Sequence, residues 1–352
     1  MTKEYTQSAI ELLQRLISIP SESRDEQAAA DQLQQTMESY GLSPRREGNN
    51  LWVENKGCTD GLPTILLNAH IDTVRPVASW SRNPYTAEIE DGKLFGLGSN
   101  DCGGGLVSLL QVFRFLSERP QHYNLIYLAS AEEEVSGTNG ICRVLPLLPS
   151  VDVAIVGEPT GMQPAIAEKG LMVIDLIAKG KSGHAARSEG VNAIYKMLDD
   201  LTWLRDYRFK RVSELLGPTL MNVTMVNAGT QHNVVPDKCT AVVDIRTNEL
   251  YNNEEVLRFI QSHVTCEVHA RSSRLSSSHI SMEHPIIRKC KEMGMKPFGS
   301  PTLSDQAQMT FPSLKLGPGE SARSHSADEY IFVSEIDDAI KKYIQLLDGF
   351  VF

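Results

Sequence analysis

The spacing of hydrophobic positions changes along the chain. Between residues 5 and 18 they fall at Ile10, Leu13, Leu16 and Ile17, which predicts a helix. Pro20 ends it. Ser23 followed by Glu26 has the form of a capping box for a second helix, with Gly41 as its stop. Short apolar runs then predict strands near 51–54, 64–69, 124–130 and 152–157, with a helix from about 103 to 117 between two of them. Strands alternating with helices predict a largely parallel or mixed sheet with helices on its faces.

The texture changes after Gly170. A strand is predicted over 171–179, a helix near 190–205, strands near 219–227 and 239–246, a helix near 253–264 and a strand near 266–272. That is an α+β unit of about 110 residues, a usual domain size. After three serines at 276–278 the earlier alternation resumes. It closes on a helix with apolar positions Val333, Ile336, Ile340, Ile344 and Leu347. The expected organisation is an α/β domain over 1–170 and 281–352, interrupted by a smaller α+β domain over 171–280.

The 352 residues suffice for two domains and a large core. At 41% apolar and 22% charged, composition adds only that the chain is of the ordinary globular kind. The net charge of −10 says more: it argues against nucleic acid as a partner, since phosphate contacts need clustered Lys and Arg. Cys58, Cys102, Cys142, Cys239, Cys266 and Cys290 are scattered singly with no CxxC pair, which favours a reducing compartment over a disulfide framework. No N-terminal apolar core and no run long enough to span a bilayer is present, so a cytoplasmic location and no membrane partner are expected.

Chemistry gathers where strands end. The run ThrIleLeuLeuAsnAlaHisIleAsp delivers His70 and Asp72 at a carboxyl end, where ligands collect in open α/β sheets. Residues two apart on extended backbone face the same way, so Asp72 could accept the second ring N–H of a metal-bound His70. A strand-end His beside a solvated Asp is the plainer alternative. In SerAsnAspCysGlyGlyGly, Asp101 precedes three glycines and a helix, and a simple helix cap would also explain it. AlaSerAlaGluGluGluValSerGly places three acids directly after an apolar strand, a costly arrangement unless a cation offsets it. ValGlyGluProThr adds Glu158 at another strand end, and ArgSerHisSerAlaAspGlu adds His325 in a loop. Mixed nitrogen and oxygen ligands suit zinc, cobalt or manganese, and two such ions sharing one carboxylate make a hydrolytic arrangement.

These five segments, in this order, resemble the zinc-dependent M20 peptidase and deacylase family, and the resemblance covers nearly the whole chain. It implies a mixed-sheet metallopeptidase domain flanked by helices, with an inserted ferredoxin-like lid that also dimerises. It implies two divalent metals, zinc first with cobalt or manganese as alternatives. His70 and His325 would each bind one metal, Asp101 would bridge them, and Glu134 and Glu158 would each complete one. Glu133 would be the general base and Asp72 would orient His70. In the lid, His184 of LysSerGlyHisAlaAlaArg would reach a neighbouring subunit's active site to stabilise the reacting acyl oxygen. Asn233 would contact substrate, and Arg246 would take a substrate carboxylate, unless it forms an ordinary salt bridge. Ser304 and Asp305 match a family loop less well. Where the family pattern reads Met-Lys-Gly after the bridging Asp, this chain has Cys102, Gly103 and Gly104, which alters the pocket wall and helix start. The implied substrate is an N-acyl amino acid, with N-acetylornithine of arginine biosynthesis first. N-acetylcitrulline, the N-succinyl analogues including N-succinyl-diaminopimelate, and dipeptides are alternatives.

Overall fold

Apolar runs too short for helices and too apolar for edges become the centre of one mixed sheet. In the computed structural model, which describes residues 2–55, 59, 61–187 and 189–352, five neighbouring strands run in the order Asn50–Glu54, Asn124–Ser130, Thr64–His70, Val153–Val156 and Ser313–Lys315. The last four are mutually parallel, and Asn50–Glu54 is antiparallel to its neighbour. Every residue of Thr64–His70 and Val153–Val156 is buried, as expected of strands covered on both faces. Parallel pairing puts the carboxyl ends of Thr64–His70, Asn124–Ser130 and Val153–Val156 on one edge, and the candidate His and acids follow from there.

The helix Gly104–Ser117 packs on Thr64–His70 and Asn124–Ser130, and against the helices Lys3–Ile17 and Val333–Leu347. Those two turn apolar stripes inward: Ile10, Leu13 and Ile17 from one, Ile336, Ile340 and Leu347 from the other. The start of Gly104–Ser117 explains its glycines. A Cβ on Gly105 would lie 1.8 Å from the Gly157 carbonyl oxygen, so only glycine lets the helix reach the strand end that carries Glu158. That close approach brings the Asp101 loop to Glu158.

The expected capping box is not formed. The second helix, Gln27–Ser39, starts after Glu26 and has no side-chain cap. The Ser23 hydroxyl instead donates to Asp72 at 2.7 Å, and the Glu26 carboxylate accepts the Arg24 and Glu132 N–H groups. Long-range bonds took both capping groups, which the local pattern could not foresee.

The chain divides into two compact units: Met1–Ile166 with His279–Phe298 and Ser304–Phe352, and Ala167–Ser278 with Gly299–Leu303. The smaller has a fully antiparallel sheet in the order Leu220–Ala228, Lys238–Arg246, Leu171–Lys179, Glu267–Leu275. With helices Ala193–Asp206 and Asn253–Gln261 this is the βαββαβ ferredoxin-like arrangement. Leu171–Lys179 alternates strictly, and its Met172, Ile174 and Leu176 meet Met197, Leu204 and Ile260 in the core. Among the described residues no helix is long and apolar enough to cross a membrane, and Cys102, Cys142, Cys239, Cys266 and Cys290 are free. Cys58 lies outside the described residues.

Candidate active site

His70, the last residue of its strand, is 2% exposed. Its Nε2 faces three carboxylates: Asp101 at 3.3 Å, Glu158 at 3.6 Å and Glu133 at 3.9 Å. His325, held in left-handed backbone (φ 57°), places Nε2 2.9 Å from Glu134 and 3.7 Å from Asp101. Asp101 thus stands between two imidazoles, one oxygen toward each. The six side chains expected from strand ends and loops converge in the larger unit, within one cluster.

Asp72 acts through a different atom than expected. The His70 Nδ1–H donates to the Asp72 backbone carbonyl at 2.8 Å, while the nearest Asp72 carboxylate oxygen is 3.5 Å away. The chain leaves the strand after His70, so the two side chains do not stay parallel. The Asp72 carboxylate instead accepts the backbone N–H groups of Glu133 and Glu134, at 3.0 and 3.2 Å. It therefore fixes both the ring and the acidic loop.

Of the three consecutive acids, Glu132 turns away. Its carboxylate accepts the N–H and Nδ2–H of Asn139, at 3.1 and 2.9 Å. Glu133 and Glu134 face the histidines.

Two further buried carboxylates support the cluster. Glu329 accepts the N–H groups of Gly98, Asn100 and Asp101, at 3.0, 2.8 and 2.9 Å, and so holds the loop that carries Asp101. Nothing in the local sequence around Glu329 marks this role, since its partners lie 228 to 231 residues earlier. Asp305, only loosely matched by resemblance, accepts the Ser130 hydroxyl at 2.5 Å at the end of a central strand.

The electrostatics call for a cation. Burial, then the Asp101 charge, pushes the Glu158 carboxyl up to about 8. Burial raises Glu133 well above the usual range, with the neighbouring acids adding to it. The bond to Glu134 outweighs burial and lifts His325 to about 9. Glu158 Oε1 is buried with no hydrogen-bond partner. Crowded carboxylates that can relax only by taking up protons are equally relieved by metal ions. His70, Asp101 and Glu134 present ligand atoms within 4.8 Å of one another, as do His70, Cys102 and Glu158. The donor set, two imidazoles with carboxylates and no paired cysteines, fits divalent metals.

In the smaller unit, His184 pairs in register with Val234 and is exposed, its Nδ1 accepting the Ala186 N–H. Asn233 lies in the same turn, its carbonyl accepting the Ala185 N–H at 3.0 Å. Arg246 bonds Asp244 through Nε and Nη2, at 2.8 and 3.1 Å, so part of its fork is engaged in an ion pair on its own strand.

Known proteins share both sequence and fold. An acetylornithine deacetylase of Proteus mirabilis is 28% identical, the match covering 97% of this chain and 96% of that protein. A protein of Mycobacterium tuberculosis provisionally named a succinyl-diaminopimelate desuccinylase is also 28% identical, covering 97% and 98%. The crystal structure of a tripeptidase from Staphylococcus aureus has the same fold, with a TM-score of 0.76 at 20% identity over 97% of each chain. The profile of peptidase family M20/M25/M40 matches residues 66–349, which span the histidine–carboxylate cluster and the ferredoxin-like unit, and the chain belongs to that family of amide-bond hydrolases.

Proposed function

We propose that the protein is a two-metal deacylase that splits an N-acyl amino acid into acid and free amine, with N-acetylornithine as the first substrate. The observation that carries this reading is the convergence of His70, Asp101, Glu134, Glu158 and His325, with Glu133 beside them. His70 and Glu158 would hold one cation, His325 and Glu134 the other, and Asp101 would bridge. Zinc is the first choice, with cobalt or manganese as alternatives. When bound, such a pair acidifies water and polarises an acyl oxygen. The rest falls to the chain. Glu133 takes the proton of the attacking water on a carboxylate oxygen and gives it to the leaving nitrogen. Asp72 keeps both the His70 ring and the Glu133 backbone in place. His184 is proposed to stabilise the acyl oxygen in a second subunit's site, Asn233 to contact substrate, and Arg246 to take the amino acid's carboxylate through Nη1, which the Asp244 pair leaves out. The names of the two 28%-identical relatives favour N-acyl amino acids. The fold neighbour's name keeps peptides as the competing class.

The test is amine release by zinc-loaded protein from N-acetylornithine, N-acetylcitrulline, N-succinyl-diaminopimelate and a set of di- and tripeptides, each with and without chelator. Chelator-sensitive release from one acyl amino acid is expected. Release from peptides alone would move the protein to the peptidases.

The smaller unit supports a homodimer. Leu220–Ala228 is an edge strand whose Met225 and Val226 are 55% and 51% exposed, and the nearby helix Ala193–Asp206 leaves Tyr195 68% exposed. An exposed apolar edge strand invites pairing with a second copy. Val226→Lys should shift the protein from dimer to monomer in light scattering. A dimer of unchanged stability would place the interface elsewhere.

A further inference from the structure

Cys102 follows Asp101 directly and is 1% exposed. Its sulfur belongs to the same small space as the His70 ring and the Glu158 carboxylate: one ligand atom from each lies within 4.8 Å of the others. The thiol lies 3.5 Å from the carbonyl oxygen of Gly157, the residue before Glu158, so it is held against the strand end that carries that acid. The thiol is not alone in facing this space. Glu158 is itself buried, and its Oε1 has no hydrogen-bond partner; His70 Nε2 lies 3.6 Å from a Glu158 oxygen. Buried polar atoms are ordinarily paired, and an orphaned carboxylate oxygen beside an imidazole and a thiol points to a missing cation. Sulfur, nitrogen and oxygen donors together favour zinc, cadmium or cobalt over harder ions.

We propose that Cys102 is a metal ligand, joining His70 and Glu158 on the His70 side of the pair. This rests on the two-metal reading above and deepens it. When the ion binds, a sulfur–metal bond replaces the Sγ–H bond, and the proton leaves to solvent. The two positions then differ in kind. The His325 side offers only nitrogen and oxygen and accepts harder ions; the His70 side is thiophilic.

The test titrates reduced, chelator-stripped protein with Co²⁺, Cd²⁺ and Mn²⁺, comparing the parent with Cys102→Ala and Cys102→Ser. Sulfur-to-metal charge-transfer absorption reports the bond, and competition with a metal indicator reports affinity. Serine nearly keeps the thiol's volume, and circular dichroism checks that both variants fold. The parent is expected to develop a charge-transfer band that both variants lose. Cadmium affinity should fall about tenfold or more in the variants, with manganese affinity changing less than about threefold. Metal binding by the parent without the band, or a band that survives in Cys102→Ala, overturns the assignment and leaves the two-metal reading intact. Failure of the parent to bind any of these ions overturns both. A Cys102-dependent band in a protein that hydrolyses no acyl amino acid or peptide supports the ligand and removes the proposed function.

Discussion

Glu133→Gln is expected to lower turnover by about 10²–10⁴-fold while metal content stays at the parental level. Two features single Glu133 out. It stands at 3.9 Å from His70 Nε2, farther than Asp101 or Glu158, so it is the carboxylate least engaged with that ring. Burial, reinforced by the surrounding acids, also raises its carboxyl well above the usual range, which readies it to carry a proton. Glutamine keeps the shape and loses the proton site. Its backbone would still be held by Asp72. Amine release and elemental metal analysis on the same preparation separate the cases. Turnover within about threefold of the parent would remove Glu133 as the base, since proton transfer of this kind is worth far more. Loss of metal together with turnover would make it a ligand instead.

Glu329→Ala should destabilise the larger unit by about 2 kcal/mol or more, because three backbone donors lose their buried acceptor inside the fold. The residue is 2% exposed, so water does not readily replace the carboxylate. The damage falls on the backbone of Gly98, Asn100 and Asp101. Metal affinity should therefore drop along with stability, although Glu329 contacts no ion in the proposed arrangement. Glu329→Gln retains one acceptor oxygen and should lie between. Denaturant unfolding of the metal-free protein gives the first effect and indicator competition gives the second. A Glu329→Ala protein within about 1 kcal/mol of the parent, with unchanged metal affinity, would mean that solvent or neighbouring groups satisfy these donors after all.

The residues that meet at the cluster were legible to the extent that they follow from local pattern. Apolar runs of strand length ending in His70, in Glu133 and Glu134, and in Glu158 mark strand ends, and a parallel sheet puts such ends on one edge. The strands and helices of the smaller unit were legible as an α+β unit, while its ferredoxin-like form was implied only by resemblance and its alternation of burial along Leu171–Lys179 appears only in the fold. The positions of His184, Asn233 and Arg246 on that unit follow from the same elements; the roles proposed for them come from resemblance.

Other features depend on partners far away in the chain. Glu329 and Asp328 are adjacent acids of the same chemistry. One is buried under the N–H groups of Gly98, Asn100 and Asp101, and the other takes the exposed Ser81 hydroxyl. Ser23 had the signature of a helix cap and became a donor to Asp72, 49 residues on. Which of Glu132, Glu133 and Glu134 turns away was set by Asn139 and Asp72, and Asp72 reached His70 through a carbonyl rather than a carboxylate. Period and polarity are properties of neighbours in sequence, so the chain by itself determined its strands, its helices and the ends where acids and histidines gather. The direction each of those side chains takes is set by burial and by hydrogen bonds closed across the fold, where an unpaired donor or acceptor costs more than any local preference supplies. Only the tertiary structure could decide that.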